Sequence, residues 1–228
     1  MSEFRNLGQL PNVAWLSIVS EAVRIRILQS CVLREAERGK VLYRFGDAPD
    51  GLYGLISGCI RMDTVQSSHG PTMLSLFHSG SWLGEVELFS RMGRLTTLTA
   101  LRPTRYAFLS NAAIDAIARE APELWKALGN LAAEHVSLAV AAMDDLAIRS
   151  SRIRVMAILL RLCGARIENG SGGIARELDV TQSELAQLAN LSRSVLSDLL
   201  NEMEIEGLLS REYGKLTILD IKRLKLEL

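Results

Sequence analysis

The chain has 228 residues, 48% of them hydrophobic and 23% charged, and its 26 basic and 26 acidic residues give a formal net charge of zero. This length allows one large domain or two smaller ones, and the charged fraction is ordinary for a soluble protein. No segment approaches the 18 or more uninterrupted apolar residues of a membrane span, and the first residues lack a signal-peptide pattern. We therefore expect a cytoplasmic protein without a membrane partner.

The cysteines and histidines give no sign of a metal centre or of catalysis. Cys31, Cys59 and Cys163 lie far apart, so neither a disulfide framework nor a metal-ligand run is predicted, and an iron–sulfur cluster would need four thiolates. No nucleophile–base pair and no glycine-rich phosphate loop occurs at a useful spacing. The sequence thus predicts no metal, no cofactor and no enzymatic activity.

In the first half of the chain, the spacing of apolar residues changes near residue 31. Before it, Trp15, Val19, Val23 and Ile27 recur at helical spacing and predict one or two short helices. From about Cys31 to Leu109, short apolar runs alternate with glycine-bearing turns. This spacing predicts many short strands, and hence a β-sandwich or a rolled sheet.

Residues 124–147 form a long helix candidate that is apolar on two sides. One seam comprises Leu124, Leu131 and Leu138 at seven-residue spacing, and the other comprises Val136, Val140, Met143 and Ala147. A surface helix needs one apolar stripe, so two stripes indicate two partners. We expect these to be the β domain and the same helix of a second subunit. A helix fully buried in a monomer is the alternative.

Residues 180–209 have the pattern of a helix-turn-helix. Thr181 can cap the first helix with Glu184 three residues later, a break follows at Asn190, and Ser192 can cap the second helix. The second helix should bury Val195, Leu196, Leu199, Leu200 and Met203, and should expose Arg193, Ser194, Ser197, Asp198 and Asn201. A helix with this polar face fits the major groove of DNA, although an ordinary helical pair would show the same periodicity. Residues 208–220 then predict a hairpin, the wing of a winged helix.

A zero net charge requires any DNA-binding protein to concentrate its cations locally. Five arginines and no acidic residue lie between residues 149 and 167: Arg149, Arg152, Arg154, Arg161 and Arg166. Their position ahead of the helix-turn-helix favours phosphate contacts, with Arg152 as a candidate. A solvated helix face is the alternative.

The order of these parts resembles the cyclic-AMP receptor protein/FNR (Crp/Fnr) family of bacterial transcription regulators. The matching segments are residues 39–47, 52–58, 84–89, 94–100 and 180–200. The resemblance implies an α+β chain with three parts. They are a cyclic-nucleotide-binding-like β-roll (jelly roll) at 1–119, a dimerisation helix and hinge at 120–149, and a winged helix-turn-helix at 150–228.

The resemblance also implies how double-stranded DNA is bound. A homodimer would place two recognition helices on a palindrome, about one DNA turn apart, and RNA polymerase would be a further partner. Arg193 matches the family's guanine-contacting arginine. Ser194 and Asp198 occupy positions where the family has Glu and Arg, so a different target sequence is expected. Ser192 and Thr181 are candidate phosphate contacts as well as caps.

The cyclic-nucleotide site of the family is only partly matched. Gly84 and Glu85 match its short Gly-Glu helix, and Arg94 matches its phosphate-binding arginine. Leu95, Ala139 and Val140, however, stand where the family has hydrogen-bonding groups, and burying an adenine amino group without partners costs about 1–3 kcal/mol. Arg94 could instead be a solvated strand-end residue, and Glu85 could cap the short helix.

Cyclic nucleotide is therefore not the expected effector. We expect a more apolar small molecule, or a site filled by the chain's own side chains. A cyclic-AMP-dependent regulator, or a sensory module that has lost DNA binding, remains the alternative.

Overall fold

The computed structural model describes residues 14–64, 72–90, 92–166, 176–212 and 215–228. The chain divides into two compact units, Met1–Glu134 and His135–Leu228. Helices and strands are segregated along the chain, which confirms the predicted α+β class. The boundary between the units falls within the longest helix, so each unit is described by itself.

The part of the N-terminal unit that the structure describes is built around two four-stranded antiparallel sheets. Their strands are β1 (Val32–Ala36), β2 (Val41–Tyr43), β3 (Gly51–Ser57), β4 (Ile60–Asp63), β5 (Met73–Phe77), β6 (Trp82–Leu83), β7 (Thr97–Ala100) and β8 (Thr104–Ser110). The order is β1-β8-β3-β6 in one sheet and β2-β7-β4-β5 in the other. Strands distant in sequence are thus neighbours in space, which confirms the predicted rolled β architecture.

Helices complete this unit at both ends of the strand region. A short 3-10 helix (Ala14–Ser17) and α1 (Glu21–Ser30) precede the strands, and α2 (Asn111–Glu120) follows them. The side chains of Ser20 and Ser110 cap α1 and α2 by accepting a hydrogen bond from a first-turn backbone N–H. The rings of Trp15 and Trp82 meet edge to face, with their centroids 5.4 Å apart.

The longest helix, α3 (Glu123–Ala147), has two halves with different surroundings. Leu124 and Leu131 are 0% and 4% exposed and lie in the hydrophobic core of the N-terminal unit. In the second half, Val136, Val140 and Met143 are 60%, 60% and 73% exposed. The single chain thus leaves these three side chains of the second half uncovered, although Asp145 near the end of the helix is fully buried.

In the described residues, the C-terminal unit has four further helices and a small sheet. The helices are α4 (Ser151–Leu162), α5 (Gln182–Ala189), α6 (Arg193–Ile205) and α7 (Ile221–Leu226), and the strands are β9 (Glu177–Leu178), β10 (Leu209–Glu212) and β11 (Lys215–Ile218). The sheet is antiparallel, in the order β10-β11-β9, and so confirms the predicted hairpin.

The turn between α5 and α6 follows the signals in the sequence. Thr181 and Glu184 form the predicted reciprocal capping box at the start of α5. Asn190 ends that helix in the left-handed region with φ 51°, which Asn tolerates better than most residues. Ser192 then caps α6 by accepting a hydrogen bond from the backbone N–H of Val195. The helix-turn-helix prediction is confirmed at each of these positions.

Within the ranges described above, no helix is both long and apolar enough to traverse a bilayer.

Candidate DNA-binding surface and effector site

Helix α6 turns one face into the protein and leaves the other in water. Leu196, Leu200 and Met203 are all 0% exposed and anchor the helix. Arg193 and Ser194, in the first turn, are exposed. The burial of one face fixes the helix orientation and keeps its N-terminal side chains accessible to a base edge.

The remaining predicted face of α6 needs one correction. Asp198 is exposed and Ser197 is half-buried, as a polar face requires. Val195 is 43% exposed, so the prediction that it packs in the core is wrong. It lies at the edge of the apolar stripe, where the 3.6-residue period leaves its side open to solvent. The exposed surface of α6 therefore includes one aliphatic side chain, Val195, beside its polar residues.

The β10–β11 hairpin is tied to α6 by one arginine. Arg211 of β10 donates through its backbone N–H and its Nε to Glu204 of α6, both at 2.9 Å, and through Nη2 to Asn201 at 2.6 Å. The hydrogen bond from Arg211 lowers the pKa of the Glu204 carboxyl. Asn201 is thus engaged by the wing in the free protein.

Arg152 does not present its charge to DNA. Its Nη2 donates to Glu206 at 2.7 Å and to Glu227 at 3.4 Å, and its Nη1 lies 3.7 Å from Glu202. Burial acts to lower the pKa of Arg152, but the bonds to Glu206 and Glu227 outweigh it and raise the pKa. The prediction of a phosphate contact is wrong here, because the guanidinium joins α4 to α6 and α7.

Three of the other four arginines of the basic segment bind internal partners, whereas Arg149 is exposed. Arg161 is 7% exposed, and its Nε donates to the fully buried Asp145 at 2.8 Å. Arg166 reaches the same carboxylate at 3.1 Å and Asp144 at 2.7 Å. Arg154 donates to the carbonyl oxygen of Ile148 at 2.9 Å. A count of charge within residues 149–167 missed these partners, because they precede that segment.

In the N-terminal unit, Arg94 is fully buried, which excludes a solvated strand-end role. Its Nη1 donates to the Gly84 carbonyl oxygen and to Glu87, both at 3.1 Å. Its Nη2 donates to Asp50 and to the Gly51 carbonyl oxygen, both at 2.8 Å. We call these four acceptors together the Arg94 cage.

Two aromatic rings and the backbone of Gly84 also surround the guanidinium. The guanidinium carbon lies 4.2 Å from the ring centroid of Tyr43 and 5.6 Å from that of Tyr53, within cation–π range. Gly84 has φ +98°, and a Cβ there would meet Arg94 Nη1 at 2.7 Å. Only glycine therefore allows the arginine to approach this carbonyl.

The pKa shifts in the cage follow from burial and from its carboxylates. Burial raises the pKa of the Tyr43 hydroxyl, and that of Tyr53 is raised by burial and by its hydrogen bond to Asp50. Burial acts to lower the pKa of Arg94, but Asp50 and Glu87 more than compensate, so the pKa is raised. The arginine thus remains cationic.

The other predicted effector residues are divided between the two units. Glu85 is buried at the start of the 3-10 helix Val86–Phe89, where its side chain makes no capping hydrogen bond, so the capping alternative is wrong. Leu95 is 38% exposed, and its backbone N–H donates to Glu87 at 3.0 Å. Ala139 and Val140 belong to the C-terminal unit and are exposed.

The predicted dimer residues on α3 fall into two groups. Leu124 and Leu131 fill the subunit's own core, so assigning them to a dimer interface is wrong: heptad spacing alone does not distinguish the two environments. Leu138 is 36% exposed, and Val136, Val140 and Met143 are more so. Val136, Val140 and Met143 form the exposed stripe of α3, whereas Leu138 lies on another side of the helix.

Comparison with known proteins assigns both units. Residues 33–121 match the family model of the cyclic nucleotide-binding domain, and residues 153–227 match that of the Crp-like helix-turn-helix domain. The chain belongs to the Crp/Fnr family of transcription regulators. The resemblance seen in the sequence is thereby confirmed, and it points to a regulator rather than to an enzyme.

Named relatives of this Crp/Fnr regulator match over most of their length. It is 26% identical to a CRP-like cAMP-activated global transcriptional regulator of Mycobacterium tuberculosis, over 82% of this chain and 84% of that protein. It is 27% identical to the transcriptional regulator SdrP of Thermus thermophilus, over 77% and 83%. The solved structure of FixK2 from Bradyrhizobium japonicum has a TM-score of 0.73 at 16% identity, over 86% and 96%, and so shares the fold.

The sequence did not reveal three acidic residues that bind buried arginines in this Crp/Fnr regulator. Asp50 and Glu87 bind Arg94, and Asp145 binds Arg161. Glu87 stands within an otherwise apolar helix turn and Asp145 near the end of an apolar helix, which is a weak signal of an internal partner. Within the described residues, no group of three or more His, Cys, Asp or Glu side chains could hold a metal ion.

Proposed function

We propose that this Crp/Fnr regulator binds a palindromic DNA site as a homodimer, with α6 of each subunit in a major groove. The observation that carries the proposal is the exposed start of α6, where Arg193, Ser194 and Asp198 stand opposite a buried anchoring face. Arg193 would donate two hydrogen bonds to a guanine, and Asp198 would accept from a cytosine amino group. Ser192 and Thr181 would approach phosphates from the helix N-termini.

The exposed stripe of α3 supports the homodimer. Val136, Val140 and Met143 repeat at intervals of four and three residues, so they share one side of the helix. Aliphatic side chains that are 60–73% exposed in the single chain make a contiguous apolar surface in water. The same stripe of a second copy, related by a two-fold axis, is the occupant that matches it.

The proposed regulator works without cyclic AMP, in contrast to the mycobacterial relative whose name describes it as cAMP-activated. Leu95, Ala139 and Val140 offer no side-chain partner to a polar base or to a phosphate oxygen. A more apolar effector or no effector is consistent with these residues. The proposal also includes a cytoplasmic location and contact with RNA polymerase.

The deciding experiment is selection from random duplex DNA by the purified full-length protein with no ligand added. Recovery of a palindrome with half-sites about one turn apart is expected. Affinity for the selected site should fall steeply with salt, because bound phosphates release counterions. Repeating the selection with cyclic AMP tests the nucleotide-dependent alternative directly.

Two variants make the selection specific to α6. Arg193→Ala should relax the preference at one base pair of each half-site. Arg105→Ala removes an equal charge from an exposed strand position in the N-terminal unit and should leave the preference intact. Enrichment only in the presence of cyclic AMP would favour the nucleotide-dependent regulator. No enrichment under either condition, together with salt-independent binding, would favour a module that has lost DNA binding.

A further inference from the structure

Glu87 is a buried carboxylate with both oxygens engaged. Its side chain is 4% exposed, Oε2 accepts from Arg94 Nη1 at 3.1 Å, and Oε1 accepts from the backbone N–H of Leu95 at 3.0 Å. A carboxylate is rarely this buried unless it is paired with a cation. Glu87 therefore holds the arginine and the residue after it in one place.

In the Arg94 cage, both terminal nitrogens of the guanidinium already make hydrogen bonds, so no pair of parallel N–H groups is free for a ligand. A guanidinium has five N–H groups, two on each terminal nitrogen and one on Nε. Nη1 and Nη2 make four hydrogen bonds within the cage, and Nε has no partner within the described residues. A phosphate or carboxylate ligand binds an arginine best through two parallel N–H groups, and so would have to displace a bond already made.

The charge of the cage also opposes an anion. One guanidinium faces two carboxylates, those of Asp50 and Glu87, at 2.8 and 3.1 Å. Asp50 is half-exposed and its carboxylate also accepts from the Tyr53 hydroxyl at 2.9 Å, whereas Glu87 is deep in the unit. Movement of Asp50 alone would leave Glu87 in place, so Glu87 is the group that closes the site.

We propose that Glu87 is a built-in anion that takes the place of an external ligand on Arg94 and closes the site from within. The inference rests on the proposed function, since it explains how the sensory unit of a regulator needs no cyclic nucleotide. It predicts that the site is closed in the wild-type protein and can be opened by one substitution. The ligand class it then admits is a phosphate-bearing anion.

The test uses the full-length protein and two probes, inorganic phosphate and cyclic AMP. Each is titrated by calorimetry and in thermal unfolding followed by tryptophan fluorescence. Wild type should show no saturable binding of either probe. Glu87→Ala should bind phosphate saturably, at least about tenfold more tightly than the upper limit that the wild-type titration sets, which is the scale of one charge-assisted hydrogen bond regained by Arg94. Its unfolding midpoint should then rise with phosphate concentration.

Two further variants keep the test decisive. Glu87→Gln retains the shape of the side chain while removing its charge, and should gain weaker phosphate binding even where Glu87→Ala folds poorly. Asp63→Ala is the matched control, because Asp63 is 7% exposed and its carboxylate accepts from Arg61 at 2.6 Å in the same unit. This control removes an equivalent carboxylate from beside an arginine, and should gain no anion binding.

Saturable binding of either probe to wild type would overturn the inference, since the site would then be open. Folded Glu87→Ala and Glu87→Gln proteins that bind no anion would also overturn it, because Glu87 would then serve stability alone. Gain of phosphate binding by Asp63→Ala would overturn it as well, because removal of a carboxylate from beside any arginine would then be enough. The DNA selection is a separate measurement, so a protein that gains phosphate binding yet enriches no DNA sequence would contradict only the proposed function.

Discussion

Removal of the Asp145 carboxylate should strongly destabilise the C-terminal unit. Asp145 is 0% exposed, and its two oxygens accept from Arg161 Nε at 2.8 Å and from Arg166 Nε at 3.1 Å. Asp145→Ala leaves Arg161, itself 7% exposed, as a buried cation without its carboxylate. Breaking a buried pair in this way costs about 3–5 kcal/mol of unfolding free energy.

Two matched variants isolate the buried pair. Asp144→Ala removes the adjacent carboxylate, whose side chain is 66% exposed and which lies 2.7 Å from Arg166, and should cost about 0–1 kcal/mol as a surface pair does. The double variant Asp145→Leu/Arg161→Met replaces both charges by apolar groups. It should recover most of the loss, because an apolar pair avoids the desolvation of two ions.

Urea unfolding followed by two signals measures these effects. The three tryptophans, Trp15, Trp82 and Trp125, all lie in the N-terminal unit, so their fluorescence follows that unit, whereas far-ultraviolet circular dichroism follows both. The dichroism transition of Asp145→Ala should move to lower urea. Equal, small losses in the Asp145 and Asp144 variants would refute the reasoning, because the Asp145 carboxylate would then be as well hydrated as its neighbour.

Three other outcomes follow from the described contacts. Arg193→Ala should reduce discrimination at one base pair by about 1–3 kcal/mol, roughly 5- to 150-fold in competition binding, and unchanged discrimination would contradict its assignment. Arg152→Ala should lower the unfolding free energy by about 1 kcal/mol through loss of its bond to Glu206, while the salt dependence of DNA binding should stay the same. A weaker salt dependence in this variant would show that Arg152 contacts a DNA phosphate after all. Burial raises the pKa of the Cys31 thiol to about 12 from an ordinary 9.0, so the unfolded chain loses this proton first and the unfolding free energy should fall between pH 9 and 12. The fall should be smaller in Cys31→Ala. An equal fall in both proteins would show that the thiol is not its cause.

The helix-turn-helix could be predicted because its signals are local. The Thr181–Glu184 capping box, the left-handed Asn190 and the cap at Ser192 lie within a dozen residues of one another. Each forms within one turn of chain and needs little from the rest of the fold. The same locality explains why the wing hairpin and the start of α3 were found.

Several of the ion pairs could not be predicted because their partners are far apart in sequence. Arg94 and Asp50 are separated by 44 residues, and Arg152 and Glu227 by 75. Sequence spacing shows that a cation is present but not which carboxylate the fold brings to it. For that reason the basic segment looked available for DNA although most of its charge is used internally.

The prediction from the apolar seams of α3 was partly wrong for a related reason. Leu131 and Leu138 are equivalent in a heptad pattern, yet one is 4% exposed and the other 36%. Periodicity identifies a side of a helix, whereas the neighbour that covers it is decided by the tertiary structure. Val195 likewise lies at the edge of an apolar stripe, where the presence or absence of a single neighbouring side chain decides whether it is exposed.

The exposed stripe of α3 has a genetic consequence. Val136, Val140 and Met143 are remote in sequence from the residues that would touch bases, so a subunit with a defective α6 keeps its pairing surface. In the proposed homodimer, a cell making equal amounts of intact and defective subunits would assemble about a quarter of its dimers with two working halves. Loss-of-function alleles in α6 should therefore be dominant over the wild-type copy. Alleles that replace residues of the exposed stripe by polar ones should be recessive.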